Sequence, residues 1–164
     1  MTISRRTLIG GAFALGTLGL IRLGRGASPS KDKRFEVEKT DAEWKALLSP
    51  AAYDVLRKHG TERAGTSPLV NEHREGTFLC AGCALPLFSS KTKFESHTGW
   101  PSFWAPLPDA VGTTEDRSFL MARTEVHCRR CGGHLGHVFD DGPQPTGLRY
   151  CMNGVALTFR PGAV

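Results

Sequence analysis

Five cysteines carry the chemistry legible in this chain. Four form two C-x-x-C pairs, Cys80/Cys83 and Cys128/Cys131, and the fifth, Cys151, stands alone in Arg149-Tyr150-Cys151-Met152-Asn153. Two such pairs supply a complete tetrahedral thiolate set for one Zn2+. Each pair can reach a metal from a single tight turn, the first containing Gly82 and the second followed by Gly132 and Gly133. Disulfides are the alternative, but a bridge between cysteines three apart closes a loop that constrains little of the unfolded chain. A redox dithiol of the thioredoxin kind needs one pair beside a βαβ pattern, which is missing from this sequence. His127, His134 and His137 lie close enough in sequence to replace one sulfur. A zinc held by Cys80, Cys83, Cys128 and Cys131 is the expectation, and it leaves one thiol for reaction.

The segment from Leu148 to Phe159 alternates and is rich in strand formers, which places Arg149, Cys151 and Asn153 on one face of a strand. A guanidinium beside a thiol lowers its pKa, and an amide two residues on can orient a substrate or a water. An inert, buried cysteine is the ordinary alternative. Two other stretches favour a reactive one. In Gly133-His134-Leu135-Gly136-His137-Val138-Phe139, two histidines three apart follow the second knuckle among glycines, which suits acid–base work. In Gly99-Trp100-Pro101-Ser102-Phe103-Trp104, proline stiffens an aromatic cluster that serves either as core or as a pocket wall.

The elements that must position these residues can be read from capping and punctuation. Asp41 to Leu48 reads as a helix capped by Thr40 or Asp41, with Trp44, Leu47 and Leu48 on one face. Ser49-Pro50 restarts a helix, with Tyr53, Val55 and Leu56 inward and Gly60 as its stop after His59. From Thr61 onward, glycines and prolines separate the short apolar runs Thr77–Leu79, Phe119–Ala122, Val138–Phe139 and Val155–Phe159, a pattern of short strands. The expected fold is mainly β: two short helices, then antiparallel sheets.

Ser4-Arg5-Arg6-Thr7-Leu8-Ile9 precedes a glycine-diluted apolar run from Leu8 to Ile21. Paired arginines before such a run read as a twin-arginine export signal, and the run is shorter than the ~20 residues of a spanning helix. The expected organisation is a signal or anchor over 1–27, a small polar linker over 28–40 and one domain over 41–164. Twin-arginine export carries folded proteins, so a thiolate–zinc site can assemble in the reducing cytosol before it meets an oxidising periplasm. The formal charge of +5 belongs to the leader: residues 1–34 hold seven basic side chains and one acid, while the rest carries 14 basic and 15 acidic. A near-neutral body offers no electrostatic footprint for nucleic acid.

Taken in order, Gly60-Thr61-Glu62-Arg63, the two knuckles, Gly99-Trp100-Pro101-Ser102-Phe103, Gly133–Phe139 and Arg149–Asn153 resemble the methionine-R-sulfoxide reductases. The resemblance runs from about Asp41 to Pro161. It implies a mostly antiparallel β fold with a structural zinc on the four knuckle cysteines. It further implies that Cys151 attacks the sulfoxide sulfur, that His134, His137 and Asn153 are polar site residues, and that Trp100 receives the substrate methyl group. Arg149 and Phe139 join the expected substrate-binding set. Many members carry a resolving cysteine two residues before the motif tryptophan, where this chain has Thr98, and His97 stands where glycine is common. A one-cysteine enzyme follows, acting on free or protein-bound methionine-R-sulfoxide, regenerated by an external thiol and monomeric. A zinc-ribbon-like binding module with an inert Cys151 is the competing reading.

Overall fold

The computed structural model describes residues 35–117 and 122–163. The leader, residues 28–34 of the expected linker and residues 119–121 of the apolar run Phe119–Ala122 lie outside them. Two helices open the described part: α1 (Asp41–Leu47) and α2 (Pro50–Lys58). Thr40 caps α1 in a reciprocal box with Glu43, so the helix start rests on two paired groups that would otherwise be orphaned. Ser49 caps α2 through the Ala52 amide, with Pro50 in the first turn. Trp44 and Leu48 are buried, but Leu47 is 55% exposed and does not share their face. Helix α2 buries Ala52, Val55 and Leu56, while Tyr53 is only half-buried. It ends at His59, which takes the left-handed conformation (φ 56°) expected of Gly60.

Nine strands follow: β1 (Gly76–Cys80), β2 (Pro86–Ser89), β3 (Lys93–Phe94), β4 (Ser102–Phe103), β5 (Val111–Asp116), β6 (Arg123–Cys128), β7 (His134–Phe139), β8 (Arg149–Met152) and β9 (Leu157–Pro161). They form a three-stranded sheet in the order β2-β1-β9 and a six-stranded sheet in the order β3-β4-β8-β7-β6-β5. Among the described residues every pairing is antiparallel, so the mainly β, antiparallel expectation holds. The alternating stretch from Leu148 to Phe159 is two strands in different sheets. Asn153 starts a 3-10 turn over Gly154–Ala156 that carries the chain from β8 to β9.

Phe103 settles one sequence alternative: it is fully buried, stacked on Phe88 (ring centroids 4.3 Å) and edge-on to Phe78 (4.9 Å). Because Phe78 and Phe88 lie on the three-stranded sheet and Phe103 on the six-stranded one, this aromatic trio joins the two. Each such ring contributes about 1.5–3 kcal/mol by burial alone. His97 adopts φ 58°, a left-handed conformation that glycine occupies without steric cost.

Candidate active site

The two C-x-x-C pairs are the tips of two hairpins. Cys80 ends β1 and Cys83 lies in the turn to β2, while Cys128 ends β6 and Cys131 lies in the turn to β7. Both tips are built alike. The amide four residues on returns to the first cysteine's carbonyl (Ala84 to Cys80 at 2.8 Å, Gly132 to Cys128 at 2.9 Å). In each, that fourth residue is left-handed, at φ 57° for Ala84 and 68° for Gly132, so Gly82 is not the residue that needs the unusual backbone.

The four sulfurs meet, with Cys80–Cys131 at 3.7 Å and Cys83–Cys128 at 3.5 Å. A disulfide needs about 2.05 Å, so these are free thiols. Zinc–sulfur bonds of ~2.3 Å in a tetrahedron put sulfurs about 3.8 Å apart, so the residues present fit that ion. All four ligand atoms lie within 4.8 Å of one another, and His127 is not among them. Its ring instead lies over Gly112 and edge-on to Phe35. Around the cluster, Trp44 abuts Gly82, and Arg57 stacks on Trp44 (4.8 Å) while donating to the Cys131 carbonyl (3.1 Å). The helices therefore brace the hairpin tips, and β7 leaves the second tip with both histidines on it.

Strand pairing then assembles the second site. Cys151 pairs with His137 on β7 and with Ser102 on β4, so thiol, imidazole and hydroxyl fall in one cross-strand row. Gly136 makes the approach of β7 and β8 feasible: a Cβ there would stand 2.1 Å from the Cys151 carbonyl oxygen. A cleft of ≈ 130 Å³ opens beside the thiol, lined by Thr61, Trp100, Gly136, His137, Phe139, Cys151, Asn153 and Arg123. Trp100 and Phe139 are its aromatic walls. The Trp100 indole donates to the Glu62 carbonyl (3.1 Å), and Arg149 stacks on Phe139 (4.4 Å) while Asp141 grips its guanidinium at 2.8 Å twice.

Of the sequence-selected residues, Cys151, His137, Trp100, Phe139 and Asn153 share this cleft; Arg149 does not line it. Asn153 spends its amide on backbone, accepting from the Glu62 N–H (2.9 Å) and donating to the Leu135 carbonyl (3.1 Å). His134 faces a neighbouring cavity of ≈ 390 Å³. Its Nδ1 meets Glu125 Oε1 at 2.7 Å, and its Nε2 is buried with no hydrogen-bond partner among the described residues. Burial holds its pKa below the ordinary histidine value, against the opposing pull of Glu125. His137 Nε2 meets Asp116 Oδ2 at 2.8 Å.

The thiol itself departs from expectation. Burial raises the Cys151 pKa above the ordinary thiol value, outweighing the hydrogen bond from Thr98 and the field of Arg149, both of which lower it. Asp141 pairs with the same guanidinium, and burial is the larger effect on the thiol. Thr98 Oγ1 sits 3.9 Å from Cys151 Sγ and 2.9 Å from Ser96 Oγ, which in turn reaches Ser102 Oγ at 2.7 Å. A hydroxyl chain occupies the place where a second thiol would stand.

Sequence reasoning missed Glu62, Glu125 and Asp116. Glu62 belonged to a matching piece with no role attached. Its carboxylate accepts from the Gly154 and Val155 amides and its backbone engages both Asn153 and Trp100.

Residues 48–161 match the family model described as the SelR domain, and the chain belongs to that family. Similar proteins include the peptide methionine sulfoxide reductase MsrB of Leptospira interrogans, 53% identical over 127 residues that cover 77% of this chain and 97% of that protein. The protein of the same name from Pseudomonas putida strain W619 is 55% identical over 127 residues, covering 77% of this chain and 96% of its own. That of Methanosarcina barkeri is 54% identical over 125 residues, covering 76% and 88%.

Proposed function

We propose that the chain is a peptide-methionine (R)-S-oxide reductase of the one-cysteine type, with Cys151 as its nucleophile. The placement of Cys151 carries this reading: a thiol outside the four-sulfur cluster, between Trp100 and Phe139 and paired with His137. Its sulfur attacks the sulfoxide sulfur, the oxygen passes to Cys151 as the substrate S–O bond and the transient S–S bond break, the thioether leaves, and Cys151 is oxidised to a sulfenic acid. The atoms balance without an outside proton, because the thiol hydrogen ends on the sulfenic hydroxyl. A resting thiol kept neutral by burial therefore brings the proton that the departing oxygen needs, and His137 passes it. His134 acts through its neighbour His137, whose ring centroid is 5.4 Å away. Asn153 holds the Glu62 segment, and with it Trp100, where the substrate methyl group rests; Arg149 steadies Phe139 opposite.

Cys80, Cys83, Cys128 and Cys131 would hold one Zn2+, whose closed sulfur shell supplies rigidity and no open coordination position. Regeneration falls to an external thiol, since Thr98 offers no sulfur, and the protein works as a monomer on free or protein-bound substrate. Converting Thr98 to cysteine tests the one-cysteine arrangement. After a single turnover without reductant, the wild type should hold a dimedone-trappable Cys151. Thr98→Cys should instead close a disulfide and lose dimedone reactivity. An internal disulfide to a knuckle cysteine in the wild type would sink the idea.

Arg5 and Arg6 before the run from Leu8 to Ile21 support export of the folded domain (41–164, behind a 28–40 linker) to the periplasm. Replacing both arginines by lysine should keep the protein in the cytoplasm on fractionation; unchanged distribution would refute twin-arginine export.

A further inference from the structure

Beside the reductase cleft lies a second set of donors, of which the reaction above uses only His134, and that indirectly. His59 Nδ1 and His134 Nδ1 both approach the same oxygen, Glu125 Oε1, at 3.0 and 2.7 Å. The three ligand atoms lie within 4.8 Å of one another. They come from three elements: His59 from the end of α2, Glu125 from the middle of β6 and His134 from the start of β7. The register of β6 against β7 and the packing of α2 on β7 fix their spacing, so the set is preformed. It opens on the ≈ 390 Å³ cavity, which leaves room for water or another ligand in a further position.

We propose that His59, Glu125 and His134 form a second, open metal site that takes a borderline divalent ion such as Zn2+ reversibly and, when filled, slows the reductase. Two imidazoles and a carboxylate are the donor set of many three-ligand zinc sites, and imidazole favours zinc, nickel or copper over magnesium or calcium. Bonds of ~2.0–2.2 Å to nitrogen and oxygen put tetrahedral ligands about 3.3 Å apart, a few tenths beyond the present His–Glu separations. His59, whose side chain is 64% exposed, is free to open by that amount. Glu115, Asp116, Arg117 and Arg123 share the cavity wall, but they offset one another: Arg117 pairs with Glu115 (2.9 Å) and Arg123 with Asp116 (2.8 Å). The Glu125 carboxylate is thus the charge that sits between the two imidazoles.

Occupation has a direct consequence for the cleft. His134 would be fixed on the ion and withdrawn from its place beside His137, whose ring centroid lies 5.4 Å away. This inhibition rests on the reductase reading; the binding does not.

Calorimetric titration of the zinc-loaded protein with Zn2+ tests the two separately. A second, weaker equivalent is expected in the wild type and in Cys151→Ser, which excludes the reactive thiol as its ligand. His59→Asn keeps a residue that tolerates the left-handed conformation but removes an imidazole, and should lose that equivalent. In parallel, Zn2+ should inhibit wild-type turnover over the same concentration range. His59→Asn, with unchanged basal activity, should need at least about tenfold more zinc for the same inhibition. Absence of a second equivalent, its survival in His59→Asn or its loss in Cys151→Ser would each overturn the site. Binding without inhibition would overturn the control of turnover.

Discussion

Cys151→Ser protein should fold, keep its zinc and reduce neither epimer of N-acetylated methionine sulfoxide, where the wild type reduces the R epimer alone. The swap exchanges one sulfur for one oxygen at a half-buried position, so stability should move by no more than about 1 kcal/mol. Turnover should fall on the order of 10³-fold or more, as it does when a covalent nucleophile is removed. The size of the effect follows from the distribution of thiols: the other four are drawn together at the hairpin tips and none lines the cleft. Ser102 and Thr98 hydroxyls are close to the vacancy but are poor nucleophiles toward sulfur. Single-turnover assays on the separated epimers settle the matter. Residual reduction by the mutant would show that Cys151 is not the attacking group. Reduction of the S epimer by wild type would show that Trp100 and Phe139 do not set the stereochemistry.

Cys80→Ser should be the most damaging substitution to the fold. Metal analysis should find the chain nearly empty of zinc, and thermal or denaturant unfolding should show most of its stability gone. The apparent free energy of a structural zinc is about 10–16 kcal/mol, as large as the ~5–15 kcal/mol that holds a domain together. Topology sharpens the expectation. Cys80 closes β1 of the three-stranded sheet and Cys128 closes β6 of the six-stranded one, so a metal on these sulfurs would tie the two sheets at one end while the Phe78–Phe88–Phe103 trio ties them elsewhere. Whatever fraction still folds should retain chemistry per folded molecule, because no knuckle sulfur lines the cleft. Full stability with selective loss of turnover would overturn the assignment of zinc as structural.

Most of the site was legible because it rests on local spacing. Two C-x-x-C pairs bring thiolates together from tight turns, and Ser49-Pro50 or Thr40 with Glu43 fixes a helix start within four residues. What escaped depends on pairing between distant strands. Glu125 and Asp116 carry no motif of their own; only the registers of β5, β6 and β7 bring them to His134 and His137. Strand β5 itself escaped because it is the edge of its sheet and largely solvent-facing, so it lacks an apolar signature. The alternation from Leu148 to Phe159 continues through the 3-10 turn after Asn153, which made two strands look like one. A lowered thiol pKa was inferred from Arg149 as a neighbour; burial, which spacing along the chain does not reveal, reverses it.

The hydroxyl chain through Thr98, Ser96 and Ser102 has a consequence for how the molecule ages. With oxygen rather than sulfur 3.9 Å from Cys151, each cycle of the proposed one-cysteine mechanism would end in a waiting period whose length is set by the concentration of the donor outside. During that interval peroxide competes for the same atom, and a second oxidation to the sulfinic state is irreversible without a dedicated rescue enzyme. The number of cycles a molecule completes before it dies is then a ratio of two encounter rates, reductant over oxidant. Its working lifetime would record the redox balance of the compartment in which it operates.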